Sequence, residues 1–534
     1  MNNDTKQNLD VIIVGAGFAG LYALHKMRSL GLNAKVFERA DGVGGTWHWN
    51  SYPGARCDVH SLEYSYQFSE ELQQQWEWSE KYAPQPEILE YANHVADHFD
   101  LRKDITFNTR IVAARFDIQN SLWICTTDKG RQISSRFCIM ATGCLSKNNI
   151  PDFKGLKNFA GETVHTGDWP KNGLDLSGKT VGIIGTGSSA IQAIPVIAEQ
   201  ADELLVFQRT PSYSVPAHNT LMDKSYENKV KENYSEFRKQ NSSRYAAINN
   251  RPNSVSALEV SAEQRLSEYE QRWQDGGLPF LASFNDLASS SEANKTASKF
   301  IQRKIKETVT DPDVAELLCP DTIVGCKRLC VDTDYYKTFN RDNVRLIDVA
   351  NSPIDEITET GLRCGNDHYQ FDCLILATGF DAMTGALLDM DITGVDGLSL
   401  KSKWQQGPRN YMGLSINGFP NLFTITGPGS PSVLANMIVA IEQHVEWIAG
   451  CLSFMEENAF IRIEAEQQAE QEWVSLVNGI AQHTLYPEGC NSWYTGANIP
   501  GKPRIFMPYL GYPSYVQRCE DIAADGYRGF SFSQ

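Results

Sequence analysis

The chain has 534 residues, of which 42 % are apolar and 21 % charged, and this length suggests roughly two to four domains of an ordinary globular protein. Lys and Arg number 48 against 65 Asp and Glu, which gives a net charge of −17 and argues against nucleic acid as a partner. No run of about eighteen apolar residues is present and the N-terminus lacks a basic region, so we expect no membrane span, no secretory signal and a cytoplasmic location.

The twelve cysteines are scattered, lie mostly in apolar runs and include no C-x-x-C pair. The closest pair, Cys326 and Cys330, has no histidine cluster near it. This distribution predicts reduced, mostly structural thiols and favours neither a metal site nor a redox disulfide.

The first recognisable unit is a nucleotide-binding fingerprint near the N-terminus. Residues 10–14 form an apolar run typical of a buried parallel strand, and residues 15–20 read G-A-G-F-A-G before a helical pattern begins. The next predicted strand, 34–38, ends on Glu38, which can accept hydrogen bonds from a ribose. The glycines allow a pyrophosphate to approach the helix N-terminus. This arrangement predicts a site for an adenine dinucleotide with a free ribose, such as FAD.

A second copy of the fingerprint begins near residue 180. A predicted strand at 181–184 precedes G-T-G-S-S-A at 185–190, a helix and a strand at 204–207. Where the first copy has its acid, this copy continues with Arg209 and Thr210, which removes a repulsion and supplies donors for a 2′-phosphate. We therefore predict an NADPH site; the alternative is that Arg209 is an ordinary solvated surface residue.

The order of these motifs predicts an α/β protein with two Rossmann-like, doubly wound domains, the second inserted in the first. An apolar strand followed by A-T-G occurs at 138–143 and again at 374–379, each well after one fingerprint. We predict an FAD-binding domain at residues 1–143 and 381–534 and an NADP-binding domain at residues 144–380. Polar residues at helical spacing predict a mostly helical insertion at residues 217–320.

Two further stretches carry residues suited to catalysis. Residues 45–58 (G-T-W-H-W-N-S-Y-P-G-A-R-C-D) are either an aromatic loop in which Asp58 caps a turn, or a cofactor cover that places Asp58 near a catalytic cation. Lys327 and Arg328 are either a surface pair or two cations that meet the NADP phosphate and the active site. A disulfide reductase would need a close cysteine pair after the first fingerprint, where only Cys57 occurs.

Two motifs resemble those of type I Baeyer–Villiger monooxygenases. Residues 45–58 resemble the family's (A/G)-G-x-W-x-x-x-x-(F/Y)-P-(G/M)-x-x-x-D fingerprint, and residues 159–170 (F-A-G-E-T-V-H-T-G-D-W-P) resemble F-x-G-x-x-x-H-T-x-x-W-(P/D) at every fixed position. Related flavin-containing and N-hydroxylating monooxygenases typically have H-S and a different aromatic end in this linker. The resemblance therefore favours the ketone oxygenases; it runs from Val11 nearly to the C-terminus and is nearest to the phenylacetone monooxygenase branch.

The resemblance implies a reaction in which NADPH reduces FAD and reduced flavin adds O₂ at its C4a carbon. The resulting C4a-peroxyflavin attacks a small-molecule ketone and gives an ester or lactone, with sulfoxidation as a further activity. The peroxide must stay anionic and be kept from water. A fixed guanidinium close by would stabilise it in the manner of an oxyanion hole.

The resemblance also implies site residues. Arg328 matches the family's catalytic arginine, Asp58 matches the acid that pairs with it, and His165 on the linker is expected to couple domain movement to cofactor position rather than to transfer protons. The predicted cofactor-binding residues are Gly15, Gly17, Gly20, Glu38, Thr46, Trp47, Asp58, Gly185, Gly187, Ser188, Arg209, Thr210, Lys327, Met437 and Trp493. The predicted substrate-binding residues, for which the alternative is simple core packing, are Ser432, Val433, Leu434 and Met437.

Two other functions remain open at this stage. One is an N- or S-oxygenating flavin monooxygenase, which only the oxidation of ketones would distinguish. The other is a non-catalytic nucleotide-binding protein that senses the redox state of NADP and would show no flavin absorbance. The sequence predicts neither the natural ketone nor whether the protein is a monomer or a dimer.

Overall fold

The computed structural model describes residues 8–502 and 508–534; residues 1–7, on which the expectation of no secretory signal rests, lie outside this range. The first stretch of chain builds most of a large sheet around the apolar run at 10–14. Its strands and helices are β1 (Asn8–Val14), α1 (Phe18–Ser29), β2 (Ala34–Phe37), α2 (Thr46–Trp49), α3 (Glu70–Gln75), α4 (Gln85–His98), β3 (Ile105–Thr106), β4 (Ile111–Asp117), β5 (Leu122–Thr127) and β6 (Gln132–Met140).

The middle of the chain builds a second sheet and a group of helices that covers it. Its elements are β7 (Glu162–His165), β8 (Thr180–Ile184), α5 (Ser188–Gln200), β9 (Glu203–Gln208), β10 (Ser214–Pro216), α6 (Lys224–Glu232), α7 (Tyr234–Ser242), α8 (Ala262–Asp275), α9 (Ser291–Thr308), α10 (Pro312–Leu318), β11 (Cys330–Asp332), α11 (Tyr335–Thr338), β12 (Val344–Asp348), β13 (Ile354–Thr358), β14 (Gly361–Cys364), β15 (Asp367–Gln370) and β16 (Cys373–Leu376).

The last stretch returns to the first sheet and packs a long helix against α1. Its elements are α12 (Gly385–Leu388), β17 (Asp391–Thr393), α13 (Leu400–Lys403), β18 (Leu422–Thr424), α14 (Met437–Glu457), β19 (Arg462–Ala465), α15 (Gln467–Gln482), α16 (Tyr486–Gly489), α17 (Tyr512–Ala524) and β20 (Phe530–Ser533). Short 3₁₀ helices occur at Arg102–Asp104, Leu156–Asn158, Leu278–Ala282, Val395–Gly397, Ser432–Leu434 and Trp493–Thr495.

The strand order confirms the predicted α/β fold class with two Rossmann-like sheets. The first sheet has the order β17-β4-β5-β6-β1-β2-β3, with β18 also paired to β6. Its centre is parallel, whereas β4, β5 and β6 form an antiparallel meander. The second sheet, β12-β9-β8-β16-β7, is parallel throughout. Its strands lie in sequence between β6 and β17, so the chain leaves the first sheet, completes the second and then returns.

Burial on both faces explains why the central strands read as continuous apolar runs. Ile12 and Ile13 are adjacent in β1 and point to opposite faces, yet both are fully buried. The same holds for Val206 and Phe207, which are adjacent in β9 and both fully buried. The two fingerprints therefore emerge from rigid strand ends, which fixes the position of the loops that follow.

The helices between β10 and β11 begin at polar capping residues that the sequence provides. Asp223, Ser290 and Asp311 each accept a hydrogen bond from a backbone N–H in the first turn of α6, α9 and α10. Ser261 and Gln264 form a reciprocal capping box at the start of α8. These caps explain how a strongly polar stretch forms defined helices with one buried face.

The prediction of reduced, mostly structural thiols is wrong for one pair of cysteines. Cys326 and Cys490 form a disulfide across 164 residues, with a Cα–Cα distance of 6.1 Å. The other ten cysteines carry free thiols. Spacing alone could not indicate this pair, because the tertiary fold brings the two segments together.

Within residues 8–502 and 508–534, no helix is long and apolar enough to cross a membrane. The same residues contain no group of three or more His, Cys, Asp or Glu side chains that could hold a metal ion.

Candidate active site

An ion pair between Arg328 and Asp58 connects the middle stretch of the chain, which contains the second fingerprint, to the first stretch, which contains the first fingerprint. The Arg328 Nε donates to Asp58 Oδ2 at 2.5 Å and Nη2 donates to Oδ1 at 2.8 Å, a two-point contact between residues 270 apart in sequence. The Nη1 atom donates to the carbonyl oxygen of Val433 at 2.6 Å. Each charged side chain is about a quarter exposed, so the guanidinium is fixed on one edge and accessible on another.

The surroundings keep Arg328 charged. Burial disfavours the cation, but the charge of Asp58 and its hydrogen bonds outweigh burial and raise the pKa of Arg328. Burial also raises the pKa of the Cys57, Cys144 and Cys330 thiols, on which the charge of Arg328 acts. These three thiols therefore stay neutral at neutral pH and do not compete with Asp58 for the guanidinium.

The first fingerprint forms a cradle for a pyrophosphate in which side chains have no room. Gly15 has φ = +103°, and a Cβ there would lie 2.6 Å from the carbonyl oxygen of Ala141, in the first A-T-G motif. A Cβ at Gly20 would lie 1.8 Å from the Gly15 oxygen, so α1 packs tightly against its strand. Helix α1 has Gly17 at its N-cap, no side-chain cap and no acid in its first turn. Its N-terminal N–H groups are thus available to an anion.

The aromatic loop that contains Thr46 and Trp47 packs directly on this cradle. A Cβ at Gly45 would lie 2.9 Å from the Cα of Gly17, so the two backbones are in contact. Thr46 is the first residue of α2, and the indole of Trp47 donates to the Tyr64 hydroxyl at 3.1 Å. The loop continues to Asp58 and so connects the first fingerprint to the ion pair.

Glu38 directly follows β2, which ends at Phe37, where an acid that faces a ribose is expected. Its carboxylate is buried and accepts backbone N–H groups of Ala16 and Ala40, both at 2.7 Å. These bonds orient the carboxylate beside the glycine turn, and its oxygens keep further acceptor capacity for hydroxyl groups.

The second fingerprint repeats the first in its geometry. Gly185 has φ = +110°, and a Cβ there would lie 2.5 Å from the carbonyl oxygen of Ala377, in the second A-T-G motif. Helix α5 has Gly187 at its uncapped N-terminus, and a Cβ at Gly187 would meet nothing within 4 Å. The Ser188 hydroxyl lies 3.3 Å from the Cys330 sulfur, two residues beyond Arg328. The loop that carries the guanidinium is therefore seated on the second fingerprint.

Two cations stand together beside the second fingerprint. Burial first, and then the charge of Arg209, lowers the pKa of Lys327, so the two groups lie within electrostatic reach of each other. Neither forms a salt bridge to a carboxylate in the part of the chain that the structure describes. Thr210 accepts a hydrogen bond from Thr186 through its carbonyl oxygen, at 3.1 Å. Two cations that are not salt-bridged to a carboxylate fit a bound phosphate.

The predicted substrate residues lie on the other side of Arg328, but not all of them are accessible. Val433 contributes its carbonyl oxygen to the guanidinium, and Met437 begins α14. Ser432 is fully buried and its hydroxyl contacts the Met383 sulfur at 3.7 Å, so this side chain faces the protein interior. Leu434 is half-buried in the same 3₁₀ helix.

The predicted nucleotide contact Trp493 lies in a C-terminal segment next to Arg328. Its ring is half-buried and meets the ring of Tyr494 at 4.6 Å. Burial raises the pKa of Tyr494, and the charge of Arg328 opposes this shift, so the phenol lies close to the guanidinium. Sequence reasoning missed Tyr494, the Val433 carbonyl and the Cys490 disulfide; a backbone acceptor and a pairing over 164 residues leave no sequence pattern.

His165 has a structural environment. It is buried, and its Nδ1 accepts the backbone N–H of Gly167 at 2.9 Å, which places the proton of the neutral ring on Nε2. Burial lowers the pKa of His165, so the ring is neutral at neutral pH. His165 is the last residue of β7, which pairs with β16 at the edge of the second sheet. This position is compatible with the predicted place of His165 on a linker.

Comparison with known proteins gives consistent results. A family model described as "Flavin-binding monooxygenase-like" matches residues 8–240. Three relatives align over nearly the full length of both chains: cyclohexanone 1,2-monooxygenase from Acinetobacter sp (42 % identical, covering 98 % of this chain and 97 % of the relative), a Baeyer-Villiger monooxygenase from Pseudooceanicola batsensis (41 %, 97 % and 95 %) and phenazine N-monooxygenase PhzNO1 from Lysobacter antibioticus (38 %, 99 % and 98 %).

Solved structures agree with these relatives. An oxidised steroid monooxygenase bound to NADP is 49 % identical, with a TM-score of 0.94 and coverage of 98 % of this chain and 99 % of the other. A complex of OTEMO with FAD and NADP is 38 % identical, with a TM-score of 0.95 and coverage of 98 % and 99 %. With this identity over its whole length, the chain belongs to the Baeyer–Villiger monooxygenase family of flavin-binding monooxygenases.

Proposed function

We propose that this protein is an FAD-containing, NADPH- and O₂-dependent monooxygenase that inserts one oxygen atom beside the carbonyl of a ketone and yields an ester or lactone. The observation that carries the proposal is the Arg328–Asp58 pair, which joins the loop of the second fingerprint to the loop of the first. A permanent cation at that point suits a reaction in which negative charge develops on oxygen.

Each nucleotide has residues that fit it. FAD would lie with its pyrophosphate on the N-terminus of α1, its ribose at Glu38 and the loop of Thr46 and Trp47 across it; when bound, it supplies the redox chemistry that activates O₂. NADPH would lie with its pyrophosphate on α5 near Gly187 and supply the electrons. The half-buried Lys327 and the exposed Arg209 would bind the 2′-phosphate, which is the group that distinguishes NADPH from NADH.

Arg328 would stabilise anionic oxygen in the active site. A guanidinium has five N–H groups, and three of them are used by Asp58 and Val433. Two remain, on Nη1 and Nη2, and the nearby Tyr494 can accept one of them. At least one donor is therefore free to meet an oxyanion, while Asp58 holds the plane of the group. The carbonyl of Val433 ties the same guanidinium to the 3₁₀ helix where the ketone would bind.

A ketone panel tests this function directly. Purified protein would be supplied with FAD, NADPH, O₂ and aryl, cyclic and linear ketones, and products identified by mass spectrometry. We expect a flavin absorbance spectrum and esters or lactones that carry one atom of ¹⁸O from labelled O₂. NADPH consumption that yields only hydrogen peroxide and unchanged ketones would overturn the proposal.

The role of Arg328 has a matched test. Arg328→Ala should still allow NADPH to reduce FAD but should lower ester formation by roughly 10²–10³-fold, the usual loss for an oxyanion donor. Arg345→Ala removes an exposed arginine of β12 and serves as the control, with unchanged product formation expected. Ester formation at the wild-type rate in Arg328→Ala would remove this residue from its proposed role.

Oxygenation of nitrogen or sulfur is the second candidate, because one full-length relative is a phenazine N-monooxygenase. The family shares sulfoxidation, so a sulfoxide product does not discriminate. A phenazine or amine that is oxygenated by an enzyme inert towards the whole ketone panel would favour this candidate.

A further inference from the structure

The Cys326–Cys490 disulfide joins two segments that both bear proposed site residues. Cys326 directly precedes Lys327 and lies two residues before Arg328; Cys490 lies three residues before Trp493. The bond therefore links the loop that holds the phosphate-binding and catalytic cations to the segment proposed to contact the nicotinamide nucleotide. It spans from the middle stretch of the chain to its last stretch.

The segment that contains Cys490, residues 486–502, lies over this loop and is held at both ends. At its start, the Tyr486 hydroxyl packs against Gly325, where an added Cβ would lie 3.0 Å away. At its end, Lys502 forms an ion pair of 2.6 Å with Asp381, and Asn498 donates to the Phe380 carbonyl at 2.9 Å. The disulfide is the covalent attachment between these ends.

We propose that Cys326 and Cys490 form a redox-dependent clamp. As a disulfide, they hold segment 486–502 against the Lys327–Arg328 loop and so retain the nicotinamide nucleotide in the closed site. As thiols, they leave the segment attached only by noncovalent contacts, and the nucleotide is released more readily. The inference rests on the proposed function, because it takes from it the nucleotide contacts of Trp493 and Lys327.

The two cysteines differ in exposure, which determines the order of the chemistry. Cys326 is 1 % exposed, whereas Cys490 is half-buried and is therefore the more accessible of the two. Hydrogen peroxide, which a flavin oxygenase releases when reduced O₂ is not transferred to substrate, oxidises the Cys490 thiol to a sulfenic acid and is itself reduced to water. The Cys326 sulfur then attacks, the S–S bond forms, the S–O bond breaks, and a second water leaves with the remaining protons.

Reduction follows the reverse direction with a dithiol as reductant. A thiolate of the reagent attacks the accessible Cys490 sulfur, the S–S bond breaks and Cys326 leaves as a thiolate that takes up a proton. The second thiol of the reagent then releases Cys490 and closes its own disulfide. The disulfide would thus form when the enzyme releases hydrogen peroxide and would be reduced in a reducing environment.

The first experiment maps the bond in the complete holoenzyme. Protein treated with hydrogen peroxide or with dithiothreitol is alkylated without further reduction, digested and analysed by mass spectrometry. We expect a linked Cys326–Cys490 peptide after peroxide and two alkylated peptides after dithiothreitol. The absence of the linked peptide after peroxide treatment would overturn the proposal.

The second experiment measures what the bond does. The dissociation constant of NADP⁺ and the hydrogen peroxide released per NADPH are compared in oxidised and reduced enzyme, without ketone. Reduction should weaken NADP⁺ binding roughly tenfold, equal to about 1.4 kcal/mol, and increase peroxide release. Cys490→Ser and Cys326→Ser should show the NADP⁺ dissociation constant and peroxide release of the reduced enzyme, and dithiothreitol should change neither value. Cys319→Ser, which removes a free thiol elsewhere in the middle stretch, should respond like the wild type.

These readouts separate the clamp from the proposed reaction. If the ketone panel yields no ester but NADP⁺ binding still depends on the disulfide, the proposed ketone oxygenation is contradicted and the clamp is supported. If esters form and the linked peptide exists but NADP⁺ binding and peroxide release are equal in both redox states, the clamp is wrong. Should Cys326→Ser fold poorly because its site is buried, Cys490→Ser and the dithiothreitol comparison still decide the matter.

Discussion

Arg328 is a cation in a place where a charge is costly, and its neighbours compensate for that cost. Asp58 contributes a full negative charge and two acceptors, and the Val433 carbonyl contributes a third acceptor. The result is a group that is oriented on one edge and open on the other. Single substitutions of Arg328 or Asp58 should therefore lower the transfer of oxygen to the ketone more than they weaken the binding of FAD or NADPH.

Asp58→Asn tests the orientation of Arg328. The amide is nearly isosteric but neutral, and its NH₂ group faces the N–H donors of the guanidinium. Reduction of FAD by NADPH should change little, whereas ester formation should fall by roughly 10²-fold. Rapid-mixing absorbance measures the first step and product analysis the second. Asp355→Asn, at an exposed ion pair, is the control; equal rates in Asp58→Asn and wild type would contradict the orienting role.

Arg209→Ala tests the phosphate site. Loss of one charge-assisted contact should raise the KM for NADPH roughly 10–100-fold. The KM for NADH should hardly change, because NADH lacks the 2′-phosphate. Initial rates of nucleotide oxidation with both coenzymes provide the measurement. An equal rise for NADH and NADPH would show that Arg209 acts on the fold rather than on the phosphate.

The two nucleotide-binding loops follow one plan at the scale of elements. In each, the first glycine has a positive φ, and it lies so close to the carbonyl oxygen of the alanine in an A-T-G motif, Ala141 or Ala377, that a Cβ would not fit. The glycine and A-T-G motifs are therefore two halves of one contact between neighbouring strands. The glycines that follow differ in their surroundings. Gly20 allows α1 to pack closely against the first loop, whereas Gly187 lies beside open space at the start of α5.

Gly20 and Gly187 make a matched pair for testing this difference. Gly20→Ala would place a Cβ 1.8 Å from the Gly15 oxygen, so we expect poor folding and loss of FAD. Gly187→Ala meets nothing within 4 Å, and its φ of −86° suits alanine, so thermal stability should be unchanged. Its KM for NADPH should nevertheless rise, because the pyrophosphate would occupy that space. A Gly187→Ala enzyme with unchanged KM would contradict the placement of the nucleotide.

The sequence predicted the elements whose signals are local. The apolar strands predicted at 10–14, 181–184 and 204–207 are confirmed by β1, β8 and β9. Contacts between segments distant in sequence could not be predicted from local patterns. The residues indicated a catalytic cation near Asp58 as one alternative, but the pairing with Arg328 followed only from the family resemblance. The disulfide of Cys326 was not expected at all, because neither pairing follows from periodicity or spacing.

At the scale of the whole molecule, Glu63 connects the three stretches of the chain. Its carboxylate accepts the backbone N–H of Asn249 at 2.6 Å, in the middle stretch. Its carbonyl oxygen accepts from Arg238 at 2.9 Å and from Asn436, in the last stretch, at 2.8 Å. Burial raises the pKa of Glu63 to about 7, so this junction holds a carboxyl group that is protonated more readily than in the unfolded chain.

This raised pKa predicts a pH dependence of stability. The unfolded glutamate titrates near 4.5 and the folded one near 7, so between these values the folded state binds more protons and stability falls as pH rises. Glu63→Gln should remove this loss and gain up to roughly 3 kcal/mol at pH 8 relative to pH 4.5. Thermal melting at both pH values provides the measurement, with Glu199→Gln at an exposed position as the control. The same difference from wild type at both pH values would contradict the assignment.

The return of the chain to its first sheet has a consequence for biosynthesis. β6 ends at Met140, but β18, which pairs with its residues Cys138, Ile139 and Met140, is not synthesised until Thr424. At about 5–20 residues per second, the ribosome needs roughly 15–60 s to make the intervening chain. The second sheet is complete by Leu376 and can form in that interval, while the apolar edge of β6 still lacks its partner. Slower translation therefore lengthens the period in which the nascent chain is most prone to aggregation.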